Sequence, residues 1–147
     1  MRVFNNYDLH FNFGRKNDSI CFLNADYIHP LKQDLVQELQ VDFERNQNVK
    51  AVIVFGSSVE FRCNSYSDLD LCVQRYDSQK SFHPFSETDM SLCRDSASER
   101  TDNREESLVL NSAEEIDLVY WDRIGERLKN EIALKGIVVF DREEIYV

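Results

Sequence analysis

Ala51-Val52-Ile53-Val54-Phe55 is an unbroken apolar run, mostly β-branched, closed by Lys50 in front and Gly56 behind. A strand with one wet face alternates apolar and polar residues. A run without alternation reads as a strand buried on both faces. The chain therefore has to build a covered sheet around residues 51–55. Three further stretches can supply neighbours: 68–73, 116–121 and 137–140 each read as a strand.

Helices are read from the spacing between these runs. Pro30 suits the first turn of a helix. Leu31, Leu35, Val36, Leu39 and Phe43 then recur at helical intervals, which predicts a helix over 30–46, ended by Asn46-Gln47-Asn48. Ser57 to Phe61 reads as a short helix opening at a Gly-Ser turn. Asp122 suits the cap of a helix running to about Lys135, with Trp121, Ile124, Leu128 and Ile132 on one face. Gly136 suits the left-handed position that follows a helix. In residues 1–29, Val3, Phe4, Tyr7, Leu9, Phe11 and Phe13 alternate with polar residues, which predicts short strands. Gly14 to Asp18 reads as a turn.

A chain of 147 residues reads as one domain over 1–147, with 1–29 as an N-terminal extension. Residues 77–115 hold ten acidic and four basic residues, −6 of the net −10. They read as an acidic, lid-like connection inserted between strands. The net charge of −10 argues against a long nucleic acid as partner, since phosphate backbones select Lys/Arg patches. No apolar run approaches the roughly 18 residues that span a bilayer, and the N-terminus lacks a signal-peptide core. The expectation is a cytoplasmic protein that does not engage membranes. Cys21, Cys63, Cys72 and Cys93 and the three histidines do not fall at zinc-ligand spacing. Cys72, inside an apolar run, reads as a buried free thiol.

The chemistry lies in residues 55–71, FGSSVEFRCNSYSDLDL. Side chains alternate along a strand, so Asp68 and Asp70 point the same way, roughly 7 Å apart, while Leu69 and Leu71 anchor the other face. Carboxylates this close repel unless a positive charge lies between them. A hard divalent cation, Mg²⁺ or Mn²⁺, meets that need with oxygen ligands. Asp117, between Ile116 and Leu118, is a third acid in an apolar run. If its strand pairs with that of Asp70, the three can hold one or two metal ions for in-line phosphoryl displacement. Gly56 permits close backbone approach, and the turn it opens with Ser57 offers free N–H groups and a hydroxyl to phosphate oxygens. Neither a P-loop nor a dinucleotide-binding glycine pattern is present.

This arrangement resembles the DNA polymerase β-like nucleotidyltransferase superfamily: a strand, Gly56-Ser57, then Ser67-Asp68-Leu69-Asp70-Leu71, then Asp117 in EEIDLVYWD. The helix after it and RLKNEIALKGIVVFDRE resemble the minimal nucleotidyltransferases (MNT) of HEPN/MNT toxin–antitoxin pairs. The resemblance implies an α/β (α+β) fold with a mixed sheet of four to five strands and helices packed on one face. It implies that Asp68, Asp70 and Asp117 are the catalytic and metal-binding residues, and that Gly56 and Ser57 hold the phosphates of a nucleoside triphosphate, with ATP the expected one. The implied reaction moves a nucleoside monophosphate to an acceptor hydroxyl, with Asp117 assisting its deprotonation. The implied partner is a HEPN-type protein, and homo-oligomers are compatible with the family. Where members carry Arg or a second Gly, this chain has Val59-Glu60-Phe61-Arg62. A catalytically degenerate binding module acting through a protein partner is the alternative.

Overall fold

A computed structural model describes residues 10–84 and 116–145. Helix α1 (Pro30–Arg45) leads into β1 (Val49–Phe55). A 3-10 turn (Gly56–Val59) and a loop then lead to β2 (Leu69–Arg75). Beyond lie β3 (Ile116–Tyr120), a 3-10 turn (Trp121–Arg123), α2 (Glu126–Lys135) and β4 (Ile137–Asp141). The sheet order is β3-β2-β1-β4. β1 is antiparallel to both β2 and β4, while β2 and β3 are parallel, so the sheet is mixed. β3 and β4 are the two edges, and α2 carries the chain from one to the other across the sheet. No helix of the described residues is long and apolar enough to cross a membrane.

The helices cover both faces, not one. Val52 and Val54 of β1 and Leu69, Leu71 and Val73 of β2 pack with Val36, Leu39 and Phe43 of α1. Ala51, Ile53 and Phe55, with Cys72 and Val138, pack instead with Ile132 and Leu128 of α2. The cause is the unbroken run itself. Every residue of β1 except Lys50 is buried, so cover on one side alone would leave Ala51, Ile53 and Phe55 in water. Cys72 is a free thiol whose pKa burial pushes up to about 12.

The described part of the N-terminal segment, 10–29, forms no strand; only a 3-10 turn (Ala25–Tyr27) is regular. Val3, Phe4, Tyr7 and Leu9 lie outside the described residues. Phe11 and Phe13 do not alternate across a sheet but meet edge to face, with ring centroids 4.9 Å apart. Ile20, Phe22, Ala25 and Ile28 nevertheless enter the main core. One side chain of α1 meets several backbone groups of this segment. Gln33 is fully buried; its amide donates to the carbonyls of Gly14 (2.8 Å), Ile28 (2.9 Å) and Ala25 (3.3 Å) and accepts from Lys16 N–H (2.7 Å). Gln33→Leu strands these groups. It should cost about 3 kcal/mol, read as a lower denaturant midpoint at unchanged slope. Leu31, expected on the buried face of α1, is 52 % exposed.

Asp122 does not cap α2. Its carboxylate receives two hydrogen bonds from Arg75, 2.8 Å from Nε and 2.9 Å from Nη2. Arg75 also lies 3.7 Å over the Tyr120 ring. This forked pairing holds Asp122 below its ordinary pKa. The helix starts later, with Gly125 as its N-cap. Gly136 is extended (φ −71°), not left-handed. It is required for space: a Cβ there would stand 2.5 Å from Ile132 O and 2.5 Å from Ile53 Cγ2.

Candidate active site

The α2 face of the sheet presents the acids. Parallel pairing sets Asp70 directly beside Asp117, with Leu69 beside Ile116 and Leu71 beside Leu118. Ladder partners share a face, so the two carboxylates project together, while the leucines enter the α1 core. Asp68 stands exposed just before β2, and its carbonyl accepts a hydrogen bond from the buried Ser58 hydroxyl at 3.4 Å.

The electrostatics show how closely the three acids are coupled. Burial, then the Asp117 and Asp68 charges, push the Asp70 carboxyl up from 3.8 to about 6; a hydrogen bond to Asp117 adds to the rise. Arg62 opposes the shift from across the loop. Among the described residues, no three His, Cys, Asp or Glu side chains form a ready-made metal cage. The donor set nevertheless suits a hard divalent cation. All three groups are carboxylates, and burial with the Asp117 and Asp68 charges keeps Asp70 from ionising readily, a load that a cation among them would relieve.

Gly56 bridges β1 and this cluster. Its φ is +76°, in the left-handed region open to glycine. A Cβ on Gly56 would lie 3.2 Å from Asp70 Cγ and closer still to Oδ2. The turn is therefore pressed against the central acid, and Phe55 pairs with Asp70 across the ladder. The turn is a single 3-10 turn, shorter than the helix expected over Ser57 to Phe61. Its position against α1 is fixed by His29 N–H, which donates to Ser58 O at 2.8 Å. His29 Nδ1 also caps α1 by accepting from Leu31 N–H. Burial, then Lys32, lower the His29 pKa, which favours that neutral acceptor form.

The residues after the turn add a feature that the spacing of the acids does not announce. Glu60 pairs with Arg62, and its other oxygen lies 3.9 Å from Lys135 Nζ at the end of α2. Two cations thus stand beside the Gly-Ser turn, and Glu60 is met by both. Nothing local ties Glu60 to Lys135; the contact depends on α2 covering this face. The described residues also line a cleft of 340 Å³, formed by Phe82, His83, Ile116, Leu118 and Tyr120 among others. It lies on the face of β3 opposite Asp117 and takes no part in the acidic cluster.

A mixed sheet with acids on adjoining strands beside a Gly-Ser turn defines a nucleotidyltransferase-type domain. The family model described as polymerase beta, nucleotidyltransferase, matches residues 37–145, well over half of the chain, and the protein belongs to that family. No curated protein matches the chain.

Proposed function

We propose that the protein moves AMP from ATP to a hydroxyl of a partner protein, in the manner of an MNT-type antitoxin acting on a HEPN-type partner. Membership of the nucleotidyltransferase family supports the reaction class. The observation that carries the site is the pairing of Asp70 with Asp117, two residues beyond Asp68 and against Gly56. Asp68, Asp70 and Asp117 are the residues to hold Mg²⁺ or Mn²⁺. Bound there, the cation would neutralise the carboxylates and polarise the phosphoryl oxygens. Gly56 and Ser57 are the phosphate-holding pair, through the turn's opening N–H groups and the Ser57 hydroxyl.

The acceptor oxygen forms a bond to the α-phosphorus, the bond from that phosphorus to the bridging oxygen breaks, and pyrophosphate leaves. Asp117, the more exposed of the ladder pair, takes the acceptor's proton. A second reading is favoured by Glu60, which occupies Arg62 and Lys135 next to the turn. On that reading the domain binds its partner without chemistry.

Turnover with MgATP and co-purifying partners separates the two. Label from α-³²P-ATP should pass to the partner with wild type. Asp68→Asn and Asp117→Asn should each reduce transfer at least ~10²-fold, the scale of losing a metal ligand or a general base. Equal labelling by all three proteins removes the catalytic assignment. Tight partner binding with no MgATP binding by calorimetry selects the second reading.

A further inference from the structure

Lys32 is the only charged residue buried among the described residues, with 3 % of its surface exposed. Among those residues its ammonium has no hydrogen-bond acceptor and no ion-pair partner. Taking a charge out of water without a partner is costly, and lysine is almost never buried in that state. Its place in the chain adds to the cost. Lys32 lies in the first turn of α1, which holds no acid. The positive end of the helix dipole lies there too, so both features favour an anion. The ammonium is not fully enclosed, which leaves it open to an anion arriving from solvent.

The neighbours say which anion. Lys32 N–H donates to His29 O at 2.9 Å, and His29 N–H donates to Ser58 O in the Gly-Ser turn at 2.8 Å. Ser58 Oγ in turn donates to Asp68 O at 3.4 Å. One hydrogen-bonded path thus joins Lys32 to both ends of the loop, the turn and the first acid. Helical side chains lean back towards the helix N-terminus, which carries the ammonium towards this loop. Its charge is felt there. Burial, then Lys32, lower the His29 pKa; burial pushes the Cys63 thiol up, and Lys32 is the charge that most opposes that rise. Cys63 is hydrogen-bonded to Ser67, the residue before Asp68. Lys32 therefore stands behind the place where the turn meets the acids. A nucleotide with its reacting phosphorus at the acids has its outer phosphates on the turn side, towards Lys32.

We propose that Lys32 is the cation that holds the outermost phosphate of the bound nucleoside triphosphate, and with it the pyrophosphate that leaves. The inference rests on the nucleotidyltransferase reading of the site. It adds to that site a residue that lies before the stretch matched by the family, 37–145. A phosphate oxygen gives the ammonium both the acceptor and the negative charge that its protein neighbours withhold.

Calorimetry and thermal melts on the full chain test this, with magnesium tripolyphosphate and a non-hydrolysable MgATP analogue as probes. Lys32→Met keeps the apolar stem and removes the charge. It should weaken both probes about tenfold or more, the scale of a hydrogen bond to a charged group. Its melting temperature without ligand should be no lower than wild type's, because an unpaired buried charge is gone. A second readout needs no variant: in the wild type, the Lys32 Nζ resonance should shift when tripolyphosphate is added. Unchanged tripolyphosphate affinity in Lys32→Met overturns the role, as does a resonance that stays in place. Should the variant melt lower or fail to fold, the resonance decides alone. Wild type that binds the analogue but not tripolyphosphate overturns the role of Lys32 and leaves the nucleotide reading standing. Wild type that binds neither probe overturns the nucleotide reading, and the role of Lys32 with it.

Discussion

Replacing Asp70 with Asn is expected to abolish nucleotidyl transfer while making the protein more stable. On the proposed role of Asp70 as a metal ligand, the loss should reach at least ~10³-fold, since such a ligand contributes several kcal/mol of transition-state stabilisation. The gain in stability follows from the raised pKa. Asp70 titrates at about 6 in the folded protein against an ordinary 3.8. Between those values the folded state binds more protons than the unfolded state, so stability falls as pH rises from about 4 to about 6. Above pH 6 the whole penalty remains. Two pKa units would be nearly 3 kcal/mol for a fully buried acid; screening at this half-buried position reduces that to about 1–2 kcal/mol. Asn carries no charge and escapes the penalty, so the variant's melting temperature at pH 7.5 should lie a few degrees above wild type's. At pH 4 the two should converge. If the ionised cluster holds Mg²⁺ as proposed, added Mg²⁺ should raise the wild-type melting temperature and leave Asp70→Asn nearly unmoved. A variant that melts lower at pH 7.5 would show that Asp70 is not under charge stress.

That stress was legible in the sequence because the strand period is local. Asp68-Leu69-Asp70 and Ile116-Asp117-Leu118 each reveal which way their acids point, and the apolar neighbours reveal what anchors them. The buried run at 51–55 likewise revealed the central strand. Its consequence, a helix on each face, was available in the same residues, since a strand apolar at every position needs two covers. Other features depend on contacts between distant residues. Asp122 has a good capping side chain, but Arg75, distant in sequence, claims it with two hydrogen bonds. Gly136 looks like a helix terminator and is instead demanded by Ile53 on the facing strand. Phe11 and Phe13 have the spacing of a strand, but Gln33 satisfies the carbonyls of this segment from the side, and the rings turn towards Phe61. Glu60 reads as a stray negative charge beside the Gly-Ser turn until α2 brings Lys135 to it.

Gly56→Ala should damage both stability and the site, and Gly14→Ala supplies its control. Both glycines have nearly the same left-handed φ, +76° and +77°. Each alanine therefore carries the same backbone strain, about 1–2 kcal/mol. They differ in what the new Cβ meets. At Gly14 nothing lies within 4 Å; at Gly56 the methyl runs into the Asp70 carboxyl. Relief requires the turn to lift off β2 or Asp70 to swing away from Asp117. Either movement spoils the site, and ångström-scale misplacement costs about 10²-fold in rate. Gly14→Ala should thus lose only the strain energy and keep full activity, while Gly56→Ala should lose about 3 kcal/mol of stability and at least ~10²-fold in transfer. A double-mutant cycle isolates the clash. In an Asp70→Ala background the carboxyl is gone and the nearest remaining atom is the Cβ of residue 70, 3.5 Å away in wild type, an ordinary contact. Gly56→Ala should then cost no more than Gly14→Ala. The difference between the two backgrounds is the coupling between turn and acid. A coupling near zero would mean that the turn is not built against Asp70, and that Gly56 is needed for its φ alone.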